Sequence, residues 1–197
     1  MALVLVKEDG SGKADANSYA SASDGDAYFD GHLYATAWTG AALGNKEKAL
    51  VFATRLIDSM CQFNGARAHE AQALQWPRVR CPDPDDAGWH SWVTWNGWDR
   101  VVASDLVPTG IVKATCELAR ELLIADRTAA PSGEGILSER TSQYTRDSVG
   151  ASTSTSNSKM YSKADTRPVL SRVVQAMLSK YGAVVNASAG SVRLQRV

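Results

Sequence analysis

From Lys46 to Gln62 the apolar residues Ala49, Leu50, Ala53, Leu56, Ile57, Met60 and Cys61 recur at spacings of three and four. That period predicts an amphipathic helix. Asn45 is placed to cap it, Gly65 marks its exit, and Val51 and Phe52 widen the stripe toward burial on more than one side. A second run of the same period follows Pro108, through Ile111, Val112, Thr115, Leu118, Ala119, Leu122 and Leu123 to about Ala125. A proline in a first helical turn loses no hydrogen bond. Glu117 and Glu121 are read on the outer side, against Lys113 and Arg120. A third run begins at Asp165 or Thr166, with Pro168 in its first turn. Its apolar face is Val169, Leu170, Val173, Val174, Met177, Leu178 and Tyr181, and Gly182 stands where a left-handed stop is expected. Ser21-Ala-Ser-Asp24 reads as a helix start, and a shorter helix is expected from about Ser23 to His32, with Asp24 and Asp26 near the positive end of its dipole. The pattern reads as a mainly α protein, a small up-and-down bundle of about four helices with short peripheral strands.

Other stretches have no helical period. From Ser138 to Ser158, 11 of 21 residues are serine or threonine, too little apolar surface to offset the entropy of ordering. This is read as a mobile arm in which Tyr144, Val149, Met160 and Tyr161 pair as strands once a neighbour offers an edge. The carboxyl-terminal Ser191–Val197 alternates polar and apolar residues, as a half-buried strand does. Val192, Leu194 and Val197 are read as entering a partner, with Arg193 available to an acidic rim and Arg196 counted with them in the docking tail. The expected organisation is a core of residues 1–132 and 162–183 with a Trp-rich insertion at 80–100, an arm at 133–161, and a docking tail at 184–197. The opening M-A-L-V-L-V-K is too short an apolar run for a signal peptide or membrane span, and reads as a short strand.

Charge changes the picture more by distribution than by sum. Twenty-one basic and 21 acidic residues cancel, which argues against bulk attraction to nucleic acid. Yet residues 1–30 carry Glu8, Asp9, Asp15, Asp24, Asp26 and Asp30 against Lys7 and Lys13, while residues 166–197 carry five basic residues and no acid. Opposite ends of opposite sign suit head-to-tail contact between copies, or are simply two solvated surfaces. Cys61, Cys81 and Cys116 have no close spacing and suit buried thiols in a reducing compartment.

Catalytic chemistry is hard to assemble from these residues. His32, His69 and His90 lie far apart in sequence, and no serine sits in a nucleophile elbow. Asp9-Gly-Ser-Gly-Lys13 lacks the first glycine of a phosphate loop and reads as a turn. Cys81 and His90 flank Asp83, Asp85 and Asp86, which reads as a surface loop rather than a metal site. The chain is read as no enzyme, with no cofactor and no metal. Trp89, Trp92, Trp95 and Trp98 recur every three residues. They suit a satellite core or an interface better than base stacking, because Asp83, Asp85, Asp86 and Asp99 oppose Arg78, Arg80 and Arg100.

One short element stands out, A-Q-A-L-Q-W-P-R from Ala71 to Arg78. Pro77 holds its own φ and restrains Trp76, so Trp76 is read as a rigid anchor with Arg78 two residues along on the same side. With A-D-A-N-S-Y (Ala14–Tyr19), D-A-Y-F (Asp26–Phe29) and Asp105-Leu-Val-Pro-Thr-Gly-Ile-Val-Lys-Ala-Thr-Cys-Glu-Leu-Ala119, it forms an ordered set over roughly residues 2–127. The set resembles the head–tail adaptor, or head-completion, proteins of tailed phages, some of which are labelled DnaT-like single-stranded-DNA-binding. The longer Trp-rich insertion and the Ser/Thr tract depart from that pattern. The resemblance implies a virion protein made in the bacterial cytoplasm and placed at the head–tail junction. It would form a ring, usually of twelve copies, with the portal on one side and a tail or nozzle protein on the other. Packaged DNA would pass through the lumen without specific binding, and no membrane would be involved. The other readings are a single-stranded-nucleic-acid-binding protein and a non-structural assembly factor.

Overall fold

Helix α4 (Thr109–Ile124) is covered along its middle on every side, with Ala114, Thr115, Cys116, Glu117, Leu118 and Ala119 all buried. That follows from what packs on it. Helices α1 (Ala22–Phe29), α2 (Thr36–Thr39), α3 (Leu43–Met60) and α5 (Arg172–Leu178) all contact α4. The computed structural model of the chain describes residues 3–85, 100–129, 138–146, 152–160 and 168–185. The chain divides into two compact units, Met1–Asp126 with Leu170–Val197, and Arg127–Val169.

The expected four-helix up-and-down bundle is not what forms. Five helices are accompanied by six strands in three two-stranded sheets among the described residues. The long helices lie where the periodicity put them, but α2 has four residues and α5 seven, too short to span a bundle. Ser171 caps α5, accepting from the Val174 amide, so Pro168 precedes the helix rather than opening it. Gly182 does not stop a helix in the left-handed region. It opens strand β6 (Gly182–Val184), which pairs antiparallel with β1 (Cys61–Phe63), the direct continuation of α3. A Cβ on Gly182 would lie 2.3 Å from the Gln62 carbonyl oxygen, so the close strand approach explains the glycine. Strands β2 (Ala66–Arg67) and β3 (Arg78–Val79) pair beside it.

Local chemistry corrects smaller points. Ser21 caps α1 in a reciprocal box with Asp24, within the expected start, and the helix begins at Ala22, one residue ahead of Ser23. Helix α3 begins at Leu43, so Asn45 lies inside its first turn rather than at its cap. Trp38 is fully buried on α2; a Cβ on Gly25 would fall 2.2 Å from its ring, so α1 and α2 meet through that glycine. The amino-terminal segment makes a single bridge, Lys7 to Ser18, rather than a strand. No described helix is long and apolar enough to cross a membrane.

The second unit holds a hairpin. Strands β4 (Ser138–Arg146) and β5 (Ser152–Met160) pair antiparallel along their full length, Ser138 opposite Met160 and Arg146 opposite Ser152. The tract expected to wait for a neighbour's edge thus pairs with itself. Within the same unit Arg127 donates to the carbonyls of Val169 (2.7 Å) and Pro168 (2.8 Å). Two distant points of that unit's chain are held together by those bonds.

Candidate functional site

The Ala71–Arg78 element is an internal knot. Gln72, almost fully buried, accepts from the His69 amide at 2.8 Å and donates to the carbonyls of Leu74 (2.8 Å) and Pro77 (3.1 Å). These bonds stabilise a loop whose Trp76–Pro77 peptide is cis. Trp76 is fully buried, edge-on to Phe63 at 5.7 Å and to Tyr181 at 5.8 Å. Its indole N–H meets no acceptor among the described residues.

Tyr19 and Asp58 hold the other side of this loop. The Tyr19 hydroxyl donates to an Asp58 carboxylate oxygen and accepts from the amides of Gln75 (3.1 Å) and Trp76 (3.2 Å). The second Asp58 oxygen accepts from the Gln75 amide at 3.1 Å. Burial pushes the Asp58 carboxyl up to about 6, against the lowering effect of the Tyr19 and Gln75 hydrogen bonds. The Tyr19 hydroxyl is raised well above its usual range, first by burial and then by the Asp58 charge. Such a pair in a cleft would raise the question of catalysis. Here the polar atoms are taken up by main chain, so the arrangement joins α3 to the loop. Tyr19 stood in a quoted motif, but its partner Asp58 escaped sequence reading because, on an amphipathic helix that also carries Lys46, Glu47, Lys48 and Arg55, one more charged residue reads as part of the solvent face.

Arg78 is likewise spent inside its own chain. Its guanidinium donates to the carbonyls of Asn64 (2.7 Å), Gly65 (2.8 Å), Gln75 (3.1 Å) and Phe63 (3.3 Å), and to the Gln75 side chain at 3.1 Å. A planar fork can serve several acceptors at once. Glu117, expected on the outer face, is buried. It accepts from Tyr28 (3.1 Å) and Arg120 (2.9 Å), with His32 at 3.4 Å. That cluster ties α1 to α4, and burial pushes the Tyr28 hydroxyl up to about 12.

The glycine-rich turn was read correctly as a turn, but its organiser, Glu8, was missed. Fully buried, Glu8 accepts from the amides of Gly10 (2.9 Å), Gly12 (2.9 Å) and Lys13 (2.8 Å). A carboxylate of the same chain therefore fills the nest of amides that would otherwise attract an anion. Gly10 has φ of 105°, a conformation glycine adopts without strain.

The Cys81 thiol is buried and directed at the Tyr181 carbonyl, 3.9 Å away, while Asp83 is bonded to Arg100 at 3.1 Å. All three cysteines are free and buried; burial pushes Cys61 and Cys116 up to about 12. No cluster of metal-ligating residues occurs among the described residues. His90, Trp89, Trp92, Trp95 and Trp98 lie outside the described residues, as do Val192, Arg193, Leu194, Arg196 and Val197 of the tail. The signature residues Trp76, Pro77 and Arg78 are therefore brought together with Tyr19 and Asp58, and what they build is fold. Exposed large side chains lie on the hairpin, where Tyr144 is 69% exposed and Met160 89% exposed, and in the turn after α1, at Leu33 and Tyr34.

A family model described as "Putative DnaT-like ssDNA binding protein" matches the chain over residues 1–197. No curated protein and no solved structure matches it.

Proposed function

The chain belongs to the family described as putative DnaT-like single-stranded-DNA-binding proteins, and within that family we propose, on the hairpin rather than on the family's description, that it works as a structural subunit. The role is that of a head–tail adaptor, assembled as a ring between a tailed phage's portal and its tail. The observation that carries this reading is the β4–β5 hairpin. It is a two-stranded sheet of nine-residue strands with no third strand among the described residues, and its described side chains are all exposed. Two strands alone are marginally stable in water, and each outer edge is a template for another chain. A neighbouring copy that paired there would stabilise the hairpin and close a heterologous contact around an axis. The neutral total charge and the inward commitment of Trp76 and Arg78 fit a part that assembles better than one that turns over a ligand.

A second reading, binding of single-stranded DNA, is favoured by the family match itself. One preparation of the full-length protein separates the two. Light scattering over a range of concentrations, with and without portal, should show growth to one discrete mass or capture by portal. A monomer at every concentration that ignores portal overturns the adaptor reading. Salt-dependent binding of a labelled oligothymidylate by that monomer would establish the other.

A further inference from the structure

The register of the hairpin sorts its residues by chemistry. Directly opposed residues of an antiparallel pair share a face, and alternate residues along each strand share it too. One set of register positions is therefore Ser138, Arg140, Ser142, Tyr144 and Arg146, opposite Met160, Ser158, Ser156, Ser154 and Ser152. The other is Glu139, Thr141, Gln143 and Thr145, opposite Lys159, Asn157, Thr155 and Thr153. Every serine of the two strands falls in the first set and every threonine in the second. Strand propensity would favour threonine on both faces, so folding alone does not account for the separation. Charge follows the same division. In the second set Glu139 lies opposite Lys159, whereas the first has two arginines and no acid. The faces are distinct in space as well, since Thr141, Gln143, Thr155, Asn157 and Lys159 line one shared hollow.

We propose that the serine face of the hairpin, centred on Arg140 and Tyr144, is a contact surface for single-stranded nucleic acid. The described serines, Ser142, Ser154, Ser156 and Ser158, are exposed, as are Arg140 and Tyr144. Small hydroxyl side chains leave room for a backbone to lie close and donate to phosphate oxygens. An arginine supplies the charge that phosphates require, and an open tyrosine ring is a platform for an unpaired base. An acidic peptide would use the arginine but not the platform. The inference rests on the DNA-binding reading of the family and is independent of ring formation, which uses strand edges rather than this face.

The test measures binding of full-length protein to a fluorescein-labelled oligothymidylate by anisotropy across a salt series, with unlabelled duplex as competitor. Arg140→Glu and Lys159→Glu make the same charge change on opposite faces. Arg140→Glu should weaken binding tenfold or more and lower the log–log salt slope by about 0.7, the value for one phosphate contact to a single strand. Tyr144→Ala should weaken it about tenfold, and Lys159→Glu less than about twofold. Circular dichroism of each variant checks that the fold persists. If wild-type protein binds no oligothymidylate even at low salt, the DNA-binding reading fails and this proposal with it. If it binds and the two charge reversals act equally, or Tyr144→Ala has no effect, only the assignment of the face is overturned. Displacement by duplex as readily as by single strand also overturns it.

Discussion

Asp58 sits where burial opposes its charge, and its carboxyl is pushed up to about 6 from an ordinary value of 3.8. Between those limits the folded chain holds a proton that the unfolded chain releases. Stability from this group is therefore complete below about pH 4 and falls as pH rises through about 6. Two pH units correspond to about 3 kcal/mol. Asp58→Asn cannot ionise, so the difference in melting temperature between wild type and variant should change with pH across that window and be level above it. A difference that stays constant from pH 4 to pH 7 would place Asp58 in solvent. Trp76 has the opposite character, a neutral ring fully buried between Phe63 and Tyr181. Trp76→Ala should lower the unfolding free energy by about 3–5 kcal/mol in denaturant titration. Arg78→Lys keeps the charge but not the fork, and should cost about 2–3 kcal/mol, since hydrogen bonds to charged groups contribute on that order. An unchanged midpoint for Arg78→Lys would mean that one ammonium replaces the whole set.

Strand pairing at the end of α3 shows where sequence patterns lose their reach. Helices α3 and α4 were legible because long apolar stripes at helical period survive any particular partner. The cap of α1 was half legible, since Ser21 and Asp24 carry their own local bonds. Strands β1 and β6 were not legible. Each is three residues long, too short for alternation to show, and their pairing joins positions far apart in sequence. Glu117 was misplaced for a related reason, because its burial depends on Tyr28 arriving from α1 and His32 from the turn after it. The hairpin was missed as an autonomous pair because its alternation is of serine with threonine, invisible to a hydrophobic pattern. Gly182 illustrates the ambiguity of a glycine after an apolar helix, which can end the helix or admit a neighbouring strand. The two explanations differ in what alanine should do. Against the Gln62 carbonyl at 2.3 Å and the Phe63 Cα at 2.6 Å, Gly182→Ala must push β6 away from β1. The expected result is a loss of stability with faster amide exchange at Gln62 and Ala183. An alanine variant as stable as wild type would return Gly182 to a simple helix stop.

The two units differ in what holds them together. Among the described residues, every member of the buried apolar cluster, from Tyr19 to Tyr181, belongs to Met1–Asp126 or Leu170–Val197, and none belongs to Arg127–Val169. The first unit therefore folds on its own burial, whereas the second has backbone pairing, the Arg127 contacts and polar side chains. A polar two-stranded pair opens readily, because each ladder bond competes with water for little net gain. The amides of β4 and β5 should exchange within seconds in the free subunit, while those of α3 and α4 exchange orders of magnitude more slowly. In the assembled particle the same hairpin amides should slow sharply if a neighbouring copy pairs with an edge. Replacing residues 133–161 by a short Gly/Ser linker should leave the melting temperature of the remaining unit unchanged, because no member of its core is removed. The shortened chain should stay monomeric where wild type grows to its discrete mass. Equal exchange in free and assembled protein, or assembly that survives the deletion, would show that edge pairing does not hold the copies together.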